Sequence, residues 1–262
     1  MVSIDVEPDL PKNPDDKPQF FGVEGLGTLL KSLERKKISS TLFVTGEVLE
    51  NFPDKVVGWG KSHEIASHGH RHQPLTSLTE AKRIDFIQKT LSAHQDLLGK
   101  KPLGYRAVQH NIDNMQISIL ERHGFAYDSS VMPNYPPFKS YPGWKGRAPS
   151  IPYNPSESDY RKIGSMKILE LPVSPLFLGV PISGKWICGL KPEFYKILLM
   201  VHRPEFICIN LHSWDMCPQG SVGWNNANFI EYANKLLEML AGYGYEMASG
   251  EKIYERHRRR NR

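Results

Sequence analysis

Short apolar runs recur along this chain at 2–6, 41–44, 65–67, 104–108, 168–173, 206–211 and 245–248, and stretches of helical length stand between most of them. A short apolar run bounded by turn residues reads as a buried strand. When a helix separates two such strands, the helix carries the chain back and the strands pair in parallel. The helical stretches fall at 26–36, 54–61, 78–98, 115–123, 192–201 and 228–241. In the third, Ile84, Ile87, Leu91 and Leu98 fall at helical spacing, and Ser77 with Glu80 is placed as a capping box. The alternation predicts an α/β fold with parallel strands inside and helices outside, closed or nearly closed into a barrel. A doubly wound open sheet is the alternative. Either architecture puts chemistry at the carboxyl ends of the strands.

A chain of 262 residues suits one domain of barrel size, expected over 1–255. The stretch 132–156 breaks the alternation, because seven prolines among its aromatic residues rule out a helix or a central strand. It is expected to be an ordered insertion, either a lid or aromatic wall over a site, or a plug for one end of the barrel. The formal charge of +5 is local. Residues 256–262 hold five arginines and no acid, which leaves 28 basic against 28 acidic residues elsewhere. A neutral body gives no footprint for nucleic acid, so no such partner is expected. The basic C-terminal tail reads as a solvated, disordered end, with weak peripheral contact to an anionic membrane as its functional alternative. Three cysteines form neither a CxxC pair nor an even set, and a strand-like run follows Met1 at once. The expectation is a cytoplasmic protein.

The densest chemistry lies in His63-Glu64-Ile65-Ala66-Ser67-His68-Gly69-His70-Arg71-His72. It is not the helical HExxH pattern, since Ser67 holds the fifth position and Gly69 disfavours a helix. A strand ending near Ser67 and a turn through Gly69 would bring His68 and His72 to one point, where two neutral imidazoles suit Zn²⁺ or a similar divalent metal. His63, at the strand start, and His70, across the turn, are read as non-ligands. In the first strand, Asp5 and Glu7 are two apart and share a face, with Val6 on the other. Two carboxylates at the end of a buried strand call for something positive, and a metal is the simplest answer. Arg106 in Gly-Tyr-Arg-Ala, Asp128 in Tyr-Asp-Ser-Ser and His212 in Asn-Leu-His-Ser-Trp each stand near the end of an apolar run. Together they supply what is needed to orient a base and provide an acid.

In this order, the strand acid, Thr41-Leu42-Phe43-Val44, the His-Glu-Ile strand, His-Gly-x-x-His, Gly-Tyr-Arg-Ala, Asp-Ser-Ser and Leu-His, the chain resembles the NodB-type polysaccharide deacetylases, a carbohydrate esterase family. The resemblance runs from Ile4 to about Glu255. It implies a distorted (β/α)7 barrel, one divalent metal, Zn²⁺ first among the choices, and hydrolytic removal of an N-acyl group, usually acetyl, from an amino sugar. By the same resemblance Asp5 is the general base, His68 and His72 are metal ligands, Arg106 orients the base, Asp128 helps hold the acid and His212 is the general acid. The family's adjacent aspartates are replaced here: Val6 follows Asp5 and Glu7 comes next, as in relatives that place the metal carboxylate two after the base. Val108 stands where the arginine motif usually has proline. Glu7 is thus expected to complete the metal site, and His212 to protonate the leaving amine from the side opposite Asp5. The substrates that follow are an N-acetylated sugar, a sugar nucleotide or a lipid-linked sugar. A similar allantoinase-like branch implies a cyclic-amide hydrolase on the same scaffold, and a non-catalytic carbohydrate-binding relative is the reading from another class.

Overall fold

In a computed structural model of the chain, the residues described are 1–10, 17–133, 146–177, 180–217 and 226–260. Strand β1 (Val2–Val6) is buried throughout. Its even residues, Val2, Ile4 and Val6, join the main apolar core, while Ser3 and Asp5 face the other way and bond Arg106. That split is strand alternation at work: one face packs on helices and the other lines the barrel interior. Helices α1 (Phe21–Gly25) and α2 (Gly27–Arg35) lead to β2 (Thr41–Val44); α3 (Gly46–Asn51) and α4 (Pro53–Trp59) lead to β3 (Glu64–Ser67). Then come α5 (Glu80–Leu98), β4 (Gly104–Tyr105), α6 (Asn114–Arg122), β5 (Tyr127–Asp128) and β6 (Leu169–Glu170). A small antiparallel pair, β7 (Pro175–Phe177) with β8 (Val180–Pro181), precedes α7 (Gly184–Val201), β9 (Ile209–His212), α8 (Phe229–Gly242) and α9 (Gly250–Arg260).

The main sheet runs β6-β5-β4-β3-β2-β1-β9, with every pair parallel. Its two edges approach one another beyond β6, where Ser174 N donates to Cys208 O at 3.3 Å and Cys208 N donates to Ser174 Oγ at 2.7 Å. The sheet is curled and nearly closed, a distorted (β/α)7 barrel, and the open doubly wound alternative is excluded. The three cysteines are free. Among the described residues no helix is long and apolar enough to cross a membrane.

Several local expectations need correction. Strand 104–108 stops at Tyr105, because Val108–His110 turns away as a 3₁₀ segment, and 168–173 ladders only over Leu169–Glu170. The run 245–248 is not a strand. Its apolar character serves packing, with the Tyr245 hydroxyl on Pro204 O and Ala248 buried. The capping box at Ser77 is absent: Thr79 is the N-cap of α5 and makes no side-chain bond. Helix 192–201 extends back to Gly184 across a kink at Lys191 and Pro192. The expected disordered tail is helical as far as Arg260. Ile253 and Tyr254 pack on the core, Arg256 pairs with Glu246, and the helix N-terminus docks under the barrel through Gly250 N to Thr41 Oγ1 and Glu251 N to Glu64 Oε2. Of the Pro-rich insertion, 134–145 lies outside the described residues, as do 261–262. The later limb of the insertion is described, and there Tyr153 bridges Glu170 of β6.

Candidate active site

The carboxyl ends of β1, β3 and β9 open into a cleft of about 390 Å³ walled by Asp5, Glu7, His68, His72, His212 and Trp214. The histidine loop is set by backbone geometry. After β3 the chain turns at Gly69 with φ +79°, a left-handed value that glycine adopts without a Cβ penalty. The N-terminal amides of α3 then pin the turn, Gly46 N on Gly69 O and Glu47 N on His70 O, both at 2.9 Å. His68 and His72 consequently aim at one atom, Glu7 Oε2, from 3.3 and 2.9 Å. His63 and His70 stay outside, against Ser40 and Glu50.

Glu7 Oε2 is buried yet has no hydrogen bond of good geometry. His68 lies with Nδ1 2.9 Å from the Arg106 carbonyl. A carbonyl only accepts, so Nδ1 carries the proton, and in the neutral ring Nε2 presents its lone pair to Glu7. Two lone pairs 3.3 Å apart repel unless a cation lies between them. Without one, the Glu7 and Asp5 charges overcome burial and raise the His68 pKa, pulling a proton onto it. Burial pushes Glu7 up as well, but His68 and His72 hold its carboxyl well below the usual range. One carboxylate and two imidazoles, the first oriented by a backbone carbonyl, fit a divalent ion of the zinc type.

Asp5, Glu7 and His212 also bring one ligand atom each within 4.8 Å of the others. Asp5 is the less suitable ligand of the two acids. Its Oδ1 takes a 2.7 Å bond from Arg106 Nη1, and a second cation there would face the guanidinium at close range. Burial raises the Asp5 pKa, while Arg106, then His68, His212 and His110, more than offset it, so Asp5 is held ionised below the ordinary carboxylate range. Arg106 is fully buried, lies over the Phe43 ring at 4.1 Å, and bonds Ser129 O, Ser3 Oγ, Asn210 Oδ1 and Ser129 Oγ as well as Asp5.

Two expected placements change. His212 does not stand opposite Asp5. Strands β1 and β9 are parallel neighbours with Asp5 in register with His212, so Nε2 lies 3.7 Å from Asp5 Oδ2. The His212 ring stacks on Trp214 at 4.3 Å, and burial lowers its pKa, leaving it neutral at neutral pH. Asp128 does not hold His212 either. It accepts from Ser130 Oγ and Ser130 N, and Ser130 Oγ in turn accepts from Ala107 N, so Asp128 braces the loop after Arg106. Buried beside it, Glu170 has its pKa pushed far above the usual range by burial and by the Asp128 charge, and so carries the proton of this pair.

The residue on His212 is Asp215, unnoticed in the sequence. Its Oδ2 accepts from His212 N at 2.9 Å, and burial raises its pKa to about 7. The carboxyl lies so close over Gly184, the first residue of α7, that a Cβ there would meet Asp215 Cγ at 2.1 Å. Gln109 and His110 also line the cleft, and nothing in their local sequence marks them.

Parts of this chain are similar in sequence or fold to known proteins. The model of the polysaccharide deacetylase family matches residues 15–127, a span that holds His68, His72 and Arg106 but not Asp5, Glu7, Asp128 or His212. The peptidoglycan deacetylase-like protein FGM2 of Gibberella zeae is 40% identical over 117 residues, covering 43% of this chain and 34% of that protein. A peptidoglycan deacetylase of Helicobacter pylori is 33% identical over 127 residues, covering 47% and 43%. The chain thus spans less than half the length of these relatives. Among solved structures, a polysaccharide deacetylase-like protein of Mycobacterium smegmatis superposes with a TM-score of 0.65 at 21% identity, over 92% of this chain and 79% of that one. An allantoinase does so with 0.65 at 17% identity, over 97% and 89%. The fold is common to both, and across the histidine turn and the arginine strand the sequence is similar to the polysaccharide deacetylase family.

Proposed function

We propose that the chain is a metal-dependent hydrolase that removes an acetyl group from the nitrogen of an amino sugar. The observation that carries this reading is the buried, unbonded Glu7 Oε2 faced by the imidazoles of His68 and His72, two residues beyond an Arg106-bound Asp5. Glu7, His68 and His72 would hold the ion, which when bound supplies Lewis-acid chemistry, polarising the acyl carbonyl and acidifying water. Asp5, kept ionised by Arg106, takes a proton from the attacking water. His212 begins neutral and 3.7 Å from Asp5, so it can receive that proton and pass it to the departing amine. The proton lost by water ends on the amine nitrogen, and the hydroxyl ends on the acyl carbon. Trp214, stacked on His212 and edge-on to His72, fixes both rings and keeps water from their faces.

A cleft of about 390 Å³ suits a sugar with its acyl arm. Whether the sugar arrives as a polymer unit, a sugar nucleotide or a lipid-linked sugar is decided by acetate release from each class. The proposed setting is the cytoplasm, where three free thiols persist. Purified protein is expected to hold one divalent ion per chain, and His68→Ala or His72→Ala to lose most of it, as read by elemental analysis. Full occupancy in both variants places the ion elsewhere. Ring opening of a cyclic ureide without acetate release replaces the deacetylase reading with an allantoinase-like one. His212→Ala is expected to lower turnover at least about 10²-fold with metal content unchanged. Loss of metal in that variant recasts His212 as a ligand.

A further inference from the structure

Between Arg106 and Asn111 the chain spends two consecutive non-glycine residues in the left-handed region, Gln109 at φ 55° and His110 at φ 53°. Such conformations are disfavoured by the Cβ and persist where the surroundings impose them. Their result is to lodge His110, 4% exposed, in the wall of the cleft against Asn210 of β9.

The protonation of this ring follows from its partners. Arg106 Nη1 donates to Asn210 Oδ1 at 2.7 Å, and a guanidinium cannot accept, so the Asn210 amide has one permitted orientation. Its Nδ2 is then the donor 3.0 Å from His110 Nε2, which must be an unprotonated acceptor. Burial, then Arg106, holds the pKa of His110 down at about 3, so the ring is neutral and its proton sits on Nδ1. Nδ1 is buried and has no hydrogen-bond partner. Every other link of the chain Asp5, Arg106, Asn210, His110 is bonded. A buried donor without an acceptor is costly unless a ligand brings one, and this donor belongs to a residue of the cleft wall.

We propose that His110 contacts the substrate, its Nδ1–H donating to an oxygen of the bound acyl amide or its sugar. The inference rests on the deacetylase reading of the cleft. A neutral donor adds no second cation beside Arg106, and it selects for ligands that present a carbonyl or hydroxyl oxygen there and against those that present N–H.

Two substitutions separate this contact from mere support of Asn210. In His110→Asn the side-chain amide reaches the Nδ1 position and keeps a donor there, but leaves Asn210 Nδ2 unmatched. In His110→Gln the longer amide reaches the Nε2 position, satisfying Asn210 and offering nothing at Nδ1. Acetate release is measured for the unaltered chain and both variants, with thermal midpoint and metal content recorded so that rates refer to folded, loaded protein. His110→Asn is expected to stay within about 10-fold in kcat/KM, and His110→Gln to lose about 10²-fold or more, the effect of removing one well-placed donor. The reverse order, equal loss in both, or no loss in either overturns the contact. Absence of acetate release from the unaltered chain on every N-acetylated sugar instead overturns the deacetylase reading and this one with it. Two-bond ¹⁵N–¹H spectra of the unaltered protein give a readout independent of turnover: protonation of His110 at Nε2 rather than Nδ1 overturns the proposal outright.

Discussion

Asp5→Asn is expected to keep its metal and lose hydrolysis by roughly 10⁴-fold, the upper end of what a general base contributes. The amide can replace the carboxylate structurally, because Asn Oδ1 still accepts from Arg106 Nη1, the bond now at 2.7 Å. It cannot take a proton from water, nor pass one to His212. Glu7→Ala is expected to behave differently, losing metal and activity together, with partial recovery in excess metal. Removing that carboxylate leaves His68 and His72 without the negative charge at which both aim. The contrast follows from their positions. Asp5 lies within β1 beside Arg106, whereas Glu7 lies just past the strand end, where the histidine loop reaches over the barrel rim. Elemental analysis with acetate release on both variants tests the division. Should Asp5→Asn empty the site while Glu7→Ala stays active, Asp5 is the ligand, as its proximity to Glu7 and His212 permits. Unchanged activity in both removes the hydrolase mechanism altogether.

What was legible in the sequence was whatever rests on local periodicity. Alternation over Val2–Val6 places Asp5 inside the barrel, and Gly69 between His68 and His72 announces the turn that converges them. The histidines read as non-ligands lie away from Glu7, His63 bonded to Ser40 and His70 at 3.7 Å from Glu50. Strands β4, β5 and β6 were harder to bound because each ladders over two residues only, too few for a period of two to register. The roles of Asp128 and His110 were out of reach for another reason: each depends on how distant segments meet. His110 meets Asn210 a hundred positions away, and Asp5 meets His212 only because β9 returns beside β1. The one local cue was Asp215, three residues after His212, a spacing that suits a carboxylate reaching back to the backbone amide at the start of a turn.

Arg106→Leu is expected to cost stability as well as activity. The guanidinium is wholly buried and every hydrogen bond it makes is internal, so the substitution leaves Asn210 Oδ1 and the Asp5 carboxylate buried without their donor, while Ser3 Oγ keeps its bond to Ile209 O. Breaking a buried ion pair by deleting one partner costs about 3–5 kcal/mol, because the remaining charge is left uncompensated. For a domain of this size that lowers the thermal midpoint by on the order of 10 °C. The pH dependence identifies the cause. In the unaltered chain Asp5 titrates below its unfolded value, so the pair stabilises the fold above that value and the contribution is lost as pH falls through the lower, folded pKa. In the variant, burial acts unopposed by Arg106 and raises Asp5, so the folded state binds its proton first and gains stability as pH falls through that raised value. The gap between the two proteins is therefore widest at neutral pH and narrows as the solution is acidified toward pH 4, about the unfolded value of an aspartate. Thermal denaturation at a series of pH values measures it. A gap that stays constant across the series means that lost packing over Phe43, rather than the orphaned carboxylate, accounts for the destabilisation. Arg106→Lys is expected to restore part of the stability, since one ammonium can still meet Asp5. Recovery of activity should be smaller, because a single head group cannot also hold Asn210, Ser129 and Ser3 in the geometry the planar guanidinium fixes.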